Sequence, residues 1–330
     1  MHMNRREFCK SAAVGLGALG VAADPRNLSL NLSRNPPDSP PEITTTITTK
    51  ITRASQTPGQ RGAAAPTKAS FARPPAMRLG LVTYNLAADW DIPTIIKNCE
   101  AARFEGVELR TTHAHKVEVN LSEPERQEVK RRFADSQVEL MGLGSTFDFH
   151  TPDQAKLRRD IEAAKEYLLL ARDVGAGGIK VRPNGLPKEV PVEKTLAQIG
   201  RALAELGDFA RDHGLVVRLE VHGPGTAFPP HIKTILDTAN HPSVGACWNC
   251  NPTDLDGEGW NHNFDLLKDR IFEVHMGDLF NEEYPYRKLL TRLNEIHYTG
   301  FCLAEIPPSP DPVRVMKYYR ALWLAYQGLQ

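Results

Sequence analysis

The chain lacks an excess of either charge: 40 lysines and arginines stand against 40 aspartates and glutamates. A nucleic-acid binder carries a basic face or run. None follows the extreme N-terminus here, so a polyanionic partner is disfavoured. No stretch of the body is apolar enough to cross a bilayer, which takes about 20 residues. Cysteine is scarce, five residues in 330, too few for a disulfide scaffold. Cys247-Trp248-Asn249-Cys250 is a lone CxxC, and without a second pair a four-thiolate zinc site is excluded. It ends a strand-like run and leads into Asn251-Pro252, not into a helix N-terminus where a redox cysteine gains its thiolate. It therefore reads as one core and one rim cysteine, and Cys99 and Cys302 as small core residues. No glycine-rich phosphate loop follows the first strand-like run, where Tyr84-Asn85-Leu86 stands instead, and this counts against a doubly wound dinucleotide fold.

What is present falls into three parts. In residues 1–23, Asn4-Arg5-Arg6-Glu7-Phe8-Cys9-Lys10 precedes the small and apolar run Ser11 to Ala23. This resembles a twin-arginine signal, with Val21-Ala22-Ala23 as the cleavage site, and the resemblance implies an exported, periplasmic protein. Residues 24–76 are rich in Pro, Ser, Thr and Asn, with the repetitive Thr44 to Thr49 segment. Such a stretch buries too little apolar surface to offset the entropy of ordering, so a disordered linker without catalytic residues is expected. Residues 77–330 hold the folded domain.

That domain alternates regularly. Leu79 to Thr83, Gly106 to Leu109, Val138 to Leu143, Gly178 to Val181, Val216 to Val221, Val244 to Trp248, Ile271 to Met276 and Phe301 to Ile306 are apolar runs of strand length. Between them lie amphipathic stretches such as Asp153 to Val174 and Val192 to His213. Glycines precede several strands, in Phe104-Glu105-Gly106, Val174-Gly175, His213-Gly214 and Tyr298-Thr299-Gly300, as left-handed helix caps would. Eight strand-and-helix units in about 250 residues predict an α/β fold, a closed (β/α)8 TIM barrel.

In such a barrel, functional groups sit at the C-terminal strand ends. Glu220, Asn249, His275 and Glu305 all fall there, separated by 29, 26 and 30 residues. One strand-plus-helix unit has about that length, so the four side chains are expected to converge at one mouth. Carboxylate, imidazole and amide oxygen together suit a divalent metal such as Mn²⁺, Mg²⁺, Co²⁺ or Zn²⁺. Other polar residues fall at the same level: Glu108 and Arg110 on strand two, Lys180 on strand four, His222 beside Glu220, and Trp248 before Asn249. Residues i and i+2 of a strand share a face, so Glu108 with Arg110, and Glu220 with His222, can both face the axis.

Gly106-Val107-Glu108, Leu219-Glu220-Val221-His222, Val244-Gly245, Val274-His275-Met276-Gly277-Asp278 and Ala304-Glu305-Ile306-Pro307 resemble the xylose isomerase-like barrel superfamily, which holds sugar isomerases and epimerases and the AP endonuclease type. The resemblance covers the domain from Arg78 onward. It implies a metal held by Glu220, Asn249, His275 and Glu305, with Asn249 where the family has Asp. A neutral amide removes one negative charge and is expected to weaken metal affinity; Asp254 and Asp256 follow in the loop as sources of compensation. It further implies proton transfer by Glu220 and Glu305 on a small carbohydrate. His222 and Arg110 would hold hydroxyl or anionic oxygens, Lys180 would polarise the same region, and Asp278 would support His275. Glu108, Trp248, Phe147 and His150 would form the wall and rim. The plainer alternatives are ion pairs of Arg110 and Lys180 with Glu108, packing for Trp248, and a solvated loop for His113 and His115.

Two rival readings remain at this level. His113-Ala114-His115, Lys180 and His222 mimic an amidohydrolase set, but the pair follows strand two instead of strand one, and strand eight offers Glu305 where that family needs Asp. A non-catalytic carbohydrate-binding barrel with a degenerate metal site is the alternative outside enzymes. Self-association into a homo-oligomer is left open.

Overall fold

The computed structural model of the protein describes residues 76–329. The expected signal and, save its last residue, the expected linker lie outside the described residues. Eight strands, β1 Arg78–Val82, β2 Gly106–Arg110, β3 Glu139–Gly144, β4 Gly178–Val181, β5 Val216–Glu220, β6 Val244–Asn249, β7 Ile271–Met276 and β8 Phe301–Ala304, form one closed parallel barrel in sequence order. Each is followed by a helix: α1 Ile92–Ala102, α2 Glu123–Ala134, α3 Gln154–Val174, α4 Val192–Asp212, α5 Pro229–Ala239, α6 Trp260–Leu267, α7 Tyr286–Glu295 and α8 Pro312–Tyr326. Among the described residues no helix is long and apolar enough to cross a membrane.

α3 shows how the sequence builds the outer layer. Asp153 caps its start, accepting from the backbone N–H of Ala155 and Lys156, and Leu157, Ile161, Ala164, Leu168 and Ala171 face the barrel. Gly175 closes it at φ 81°, a conformation that costs glycine little. The expected glycine cap holds here, but α1 and α7 are followed by left-handed Arg103 and His297. Gly106 instead makes room: a Cβ there would lie 2.4 Å from the Phe301 ring.

The barrel interior departs from the branched apolar filling common to this fold. Val82, Met141, Phe301 and Leu303 form a small apolar plug separate from the core under the helices. The buried residues also include Glu108, Lys180, Arg218, Glu220, Glu273 and His275, which the strands direct inward. Arg218 places Nε 3.3 Å from Glu273 Oε2 and donates from Nη2 to the Met141 carbonyl at 3.2 Å.

Strand alternation corrects one expectation. Trp248 does not reach the mouth; it is 0% exposed and packs edge-on against Trp260 and Phe264 beneath α6. Neighbouring residues of a strand face opposite ways, and Asn249 takes the inward direction. The Trp248 and Trp260 indole N–H groups both donate to Tyr284 Oη, at 2.9 and 3.2 Å, and Tyr284 donates to Asp254 Oδ2 at 2.6 Å. Asp254 also accepts from the Asn251 backbone at 3.1 Å. It is thus committed to the loop after β6 and does not compensate for Asn249. Tyr284→Phe would strand two indole N–H groups and leave Asp254 Oδ2 with only the Asn251 backbone N–H, at about 1–3 kcal/mol for each orphaned group. Urea unfolding should show a loss of at least ~2 kcal/mol, and an unchanged midpoint would remove this network from the stabilising interactions.

Burial raises the Asp254 pKa to about 7, against the lowering effect of its bonds from Tyr284 and Asn251. A folded-state pKa above the unfolded value means that this group's contribution is fully present below about pH 4 and is lost as pH rises through about 7. Wild-type stability should therefore fall between about pH 4 and 7 more steeply than that of Asp254→Asn, by up to ~1.4 kcal/mol per pH unit. Parallel curves from urea titrations across that range would refute the assignment.

Candidate active site at the barrel mouth

Val82, Tyr84, Arg110, Lys180, Arg182, Glu220, His222, Asn249, Asn251 and Glu305 line a cavity of about 230 Å³ at the C-terminal end of the strands. It is smaller than the roughly 300–1,000 Å³ of drug-sized ligand pockets, so it suits a small molecule. A larger groove of about 600 Å³ runs over the loops after β3, β4 and β5, lined in part by Asp148, His150 and Lys156. His150 belongs to this groove, not to the mouth cavity.

The structure brings Glu220, His275 and Glu305 together. One donor atom from each lies within 4.8 Å of the others, and His275 Nδ1 stands 3.4 Å from Glu305 Oε2. Both ring nitrogens of His275 are buried without a hydrogen-bond partner. An orphaned imidazole between two carboxylates fits a divalent cation, which would supply the missing partner. A second trio, Cys247, Glu273 and His275, meets the same distance condition but is wholly buried; Glu220 and Glu305 line the cavity and can meet a substrate.

Glu220 is already occupied on both oxygens. Lys180 Nζ donates to Oε2 at 2.5 Å, and Asn249 Nδ2 donates to Oε1 at 3.3 Å. The Asn249 side chain therefore reaches the cluster with its amide N–H toward Glu220; a role as ligand requires its oxygen to turn in, an amide flip that exchanges the two ends. Lys180 pairs with Glu220, not with Glu108 as the plainer alternative had it. Burial opposes ionisation of Glu220, but Lys180, with His275 and His222, outweighs it and holds the carboxyl at about 2.

Glu108 sits beneath the mouth and not on its wall. It is 0% exposed, its Oε1 lies 3.7 Å from His275 Nε2, and Gly144 leaves the space that its carboxylate fills. Glu273, which sequence reasoning did not single out, flanks the same nitrogen at 3.7 Å. Burial opposes charge on His275, yet Glu108, Glu305 and Glu273 push its pKa up to about 9. These carboxylates occupy the supporting position expected of Asp278. The signal for Glu273 was its place two residues before His275 on one strand face. Arg182, two residues after Lys180 and just past the end of β4, also lines the cavity.

The expected solvated loop after β2 is partly folded in. His115 is buried, with Nε2 on the Arg110 carbonyl at 2.8 Å and Nδ1 accepting from the Val117 backbone at 3.0 Å. His113 bonds to Thr83 Oγ1 at 3.1 Å and stacks on Tyr84. These bonds keep the histidine pair off the Glu220 cluster. Burial pushes the Cys247 and Cys250 thiols well up, consistent with core and rim cysteines.

Fold and mouth together define a (β/α)8 barrel with a carboxylate and histidine cluster at the C-terminal ends of its strands. The chain belongs to the xylose isomerase-like TIM barrel family, whose model matches residues 96–322. A search of curated proteins found no match. Solved structures of similar fold include L-ribulose 3-epimerase, 15% identical over 76% of this chain and 96% of that one, TM-score 0.64. Another is 3-keto-D-glucoside 4-epimerase from E. coli, 14% identical over 75% and 98%, TM-score 0.63. The IolI protein with a bound zinc atom is 17% identical over 76% and 96%, TM-score 0.61.

Proposed function

We propose that the protein is a sugar isomerase or epimerase that moves a proton next to a carbonyl of a small carbohydrate or its derivative. The convergence of Glu220, His275 and Glu305 around orphaned imidazole nitrogens carries this reading. A divalent metal, when bound, would polarise the substrate oxygens and lower the cost of the enediolate. Glu220, His275 and Glu305 would hold it, with Asn249 as the fourth donor.

The two carboxylates are unequal in what they can do. Glu220 is held far down by Lys180, so it is a weak base suited to binding a cation. Glu305 has no such partner; its side chain is 23% exposed and faces the cavity, so it is positioned to remove the proton. Lys180 fixes Glu220 and offers positive charge to an oxygen that becomes negative. The epimerase names among structures of this fold support the same chemistry.

The first test is elemental analysis of purified protein and of Glu220→Ala, followed by a search for deuterium exchange from D₂O into candidate sugars. The expected outcome is about one metal per chain, lost in the variant, and exchange that depends on it. Protein that takes up no Mn²⁺, Co²⁺ or Zn²⁺ and exchanges no sugar proton would overturn the proposal and leave the carbohydrate-binding reading.

A further inference from the structure

The mouth has more positive charge than proton transfer on a neutral sugar requires. Three cationic side chains, Arg110, Lys180 and Arg182, face two carboxylates across the cavity. Lys180 is spent on Glu220, which leaves two arginines and Glu305. Among the described residues neither Arg110 nor Arg182 has a carboxylate within 4.0 Å, whereas most other arginines of the domain do. Arg182 Nε and His222 Nδ1 are buried without any partner, and the one bond from the Arg110 guanidinium is from Nη1 to the Thr111 carbonyl at 2.9 Å.

These donors are also held in place. The Arg182 backbone N–H bonds to the Phe147 carbonyl at 3.0 Å, and Pro183 follows. The Arg110 backbone N–H bonds to Thr83 Oγ1 at 2.9 Å, and its guanidinium lies 5.9 Å from the Tyr84 ring centroid. A charged donor taken out of water and left unmatched is costly, and a guanidinium is matched best by a carboxylate or phosphate in bidentate contact. We infer that the substrate carries an oxyanion, a carboxylate or a phosphate, and that Arg182, Arg110 and His222 hold it while the sugar carbonyl faces Glu220 and Glu305. The inference rests on the isomerase or epimerase reading of the same cavity.

Isothermal titration of the full chain with matched probes tests it: D-gluconate against D-glucitol for a carboxylate, and ribose 5-phosphate against ribose for a phosphate. At low salt at least one anionic probe should bind about tenfold or more tighter than its neutral counterpart, as charge-assisted bonds to arginine imply. The preferred pair identifies the anion. Arg182→Gln should remove the advantage and Arg182→Lys should keep part of it, with circular dichroism confirming that both variants are folded. Neutral probes that bind as tightly as anionic ones, an advantage that survives Arg182→Gln, or no binding of either kind would overturn the inference. Failure of the two readings is separable. Anion preference with no proton exchange in any bound sugar would sink the isomerase reading alone, and exchange confined to neutral sugars would sink the anion site alone.

Discussion

Glu305→Gln is expected to lower deuterium exchange into the substrate by about 10³-fold, within the range that a positioned acid or base contributes. Glutamine keeps a side-chain oxygen that can still face a metal, so the change removes the proton acceptor without emptying the position. Glu305 lies one residue beyond β8, and its backbone N–H bonds to the Met276 carbonyl at 2.8 Å. The side chain thereby stands beside His275 at the rim, where no lysine neutralises it. The neutral amide should weaken metal affinity, so exchange is read at a metal concentration that keeps the site as full as in the wild type. Exchange within about tenfold of wild type, in protein with unchanged metal, would show that another group takes the proton.

Lys180→Met should produce two opposite effects. Metal-free protein should lose about 3–5 kcal/mol of stability, because Glu220 would be left buried without its ion-pair partner. Metal affinity should rise, by about tenfold or more, since a unit positive charge a few Å from the donor set is worth several kcal/mol at an effective dielectric of ~20. Thermal unfolding with and without Zn²⁺ or Mn²⁺ reads both effects together: a lower melting temperature alone and a larger upward shift on adding metal. A variant that melts lower but gains no extra shift would mean that Lys180 does not compete with a cation for Glu220. Asn249→Asp should act in the same direction on affinity while leaving the Lys180 pair in place.

The eight strands were legible because each is a short apolar run between helices of clear periodicity, and their ends moved by at most one residue except at β8, which stops at Ala304. The convergence of Glu220, His275 and Glu305 was also legible, since a barrel turns spacing along the chain into position around a ring. What alternation does not show is how deep an inward side chain sits. Glu108 therefore looked like pocket wall and is a buried neighbour of His275. Trp248 was misplaced for a simpler reason: its neighbour Asn249 faces inward, so it cannot. Partners on different strands were the least visible. Nothing along the chain links Lys180 to Glu220, forty residues on, or Arg218 to Glu273.

Those concealed pairs constrain how this protein can change over generations. Lys180, Glu220, Arg218, Glu273, Glu108 and His275 stand together inside a closed sheet, where loss of one charge exposes its partner to a low-dielectric surrounding. Drift at any single position is therefore selected against even where the chemistry would tolerate it. Homologues should exchange these residues in coordinated sets, so that a chain with a neutral residue at position 180 would often have another positive charge beside Glu220.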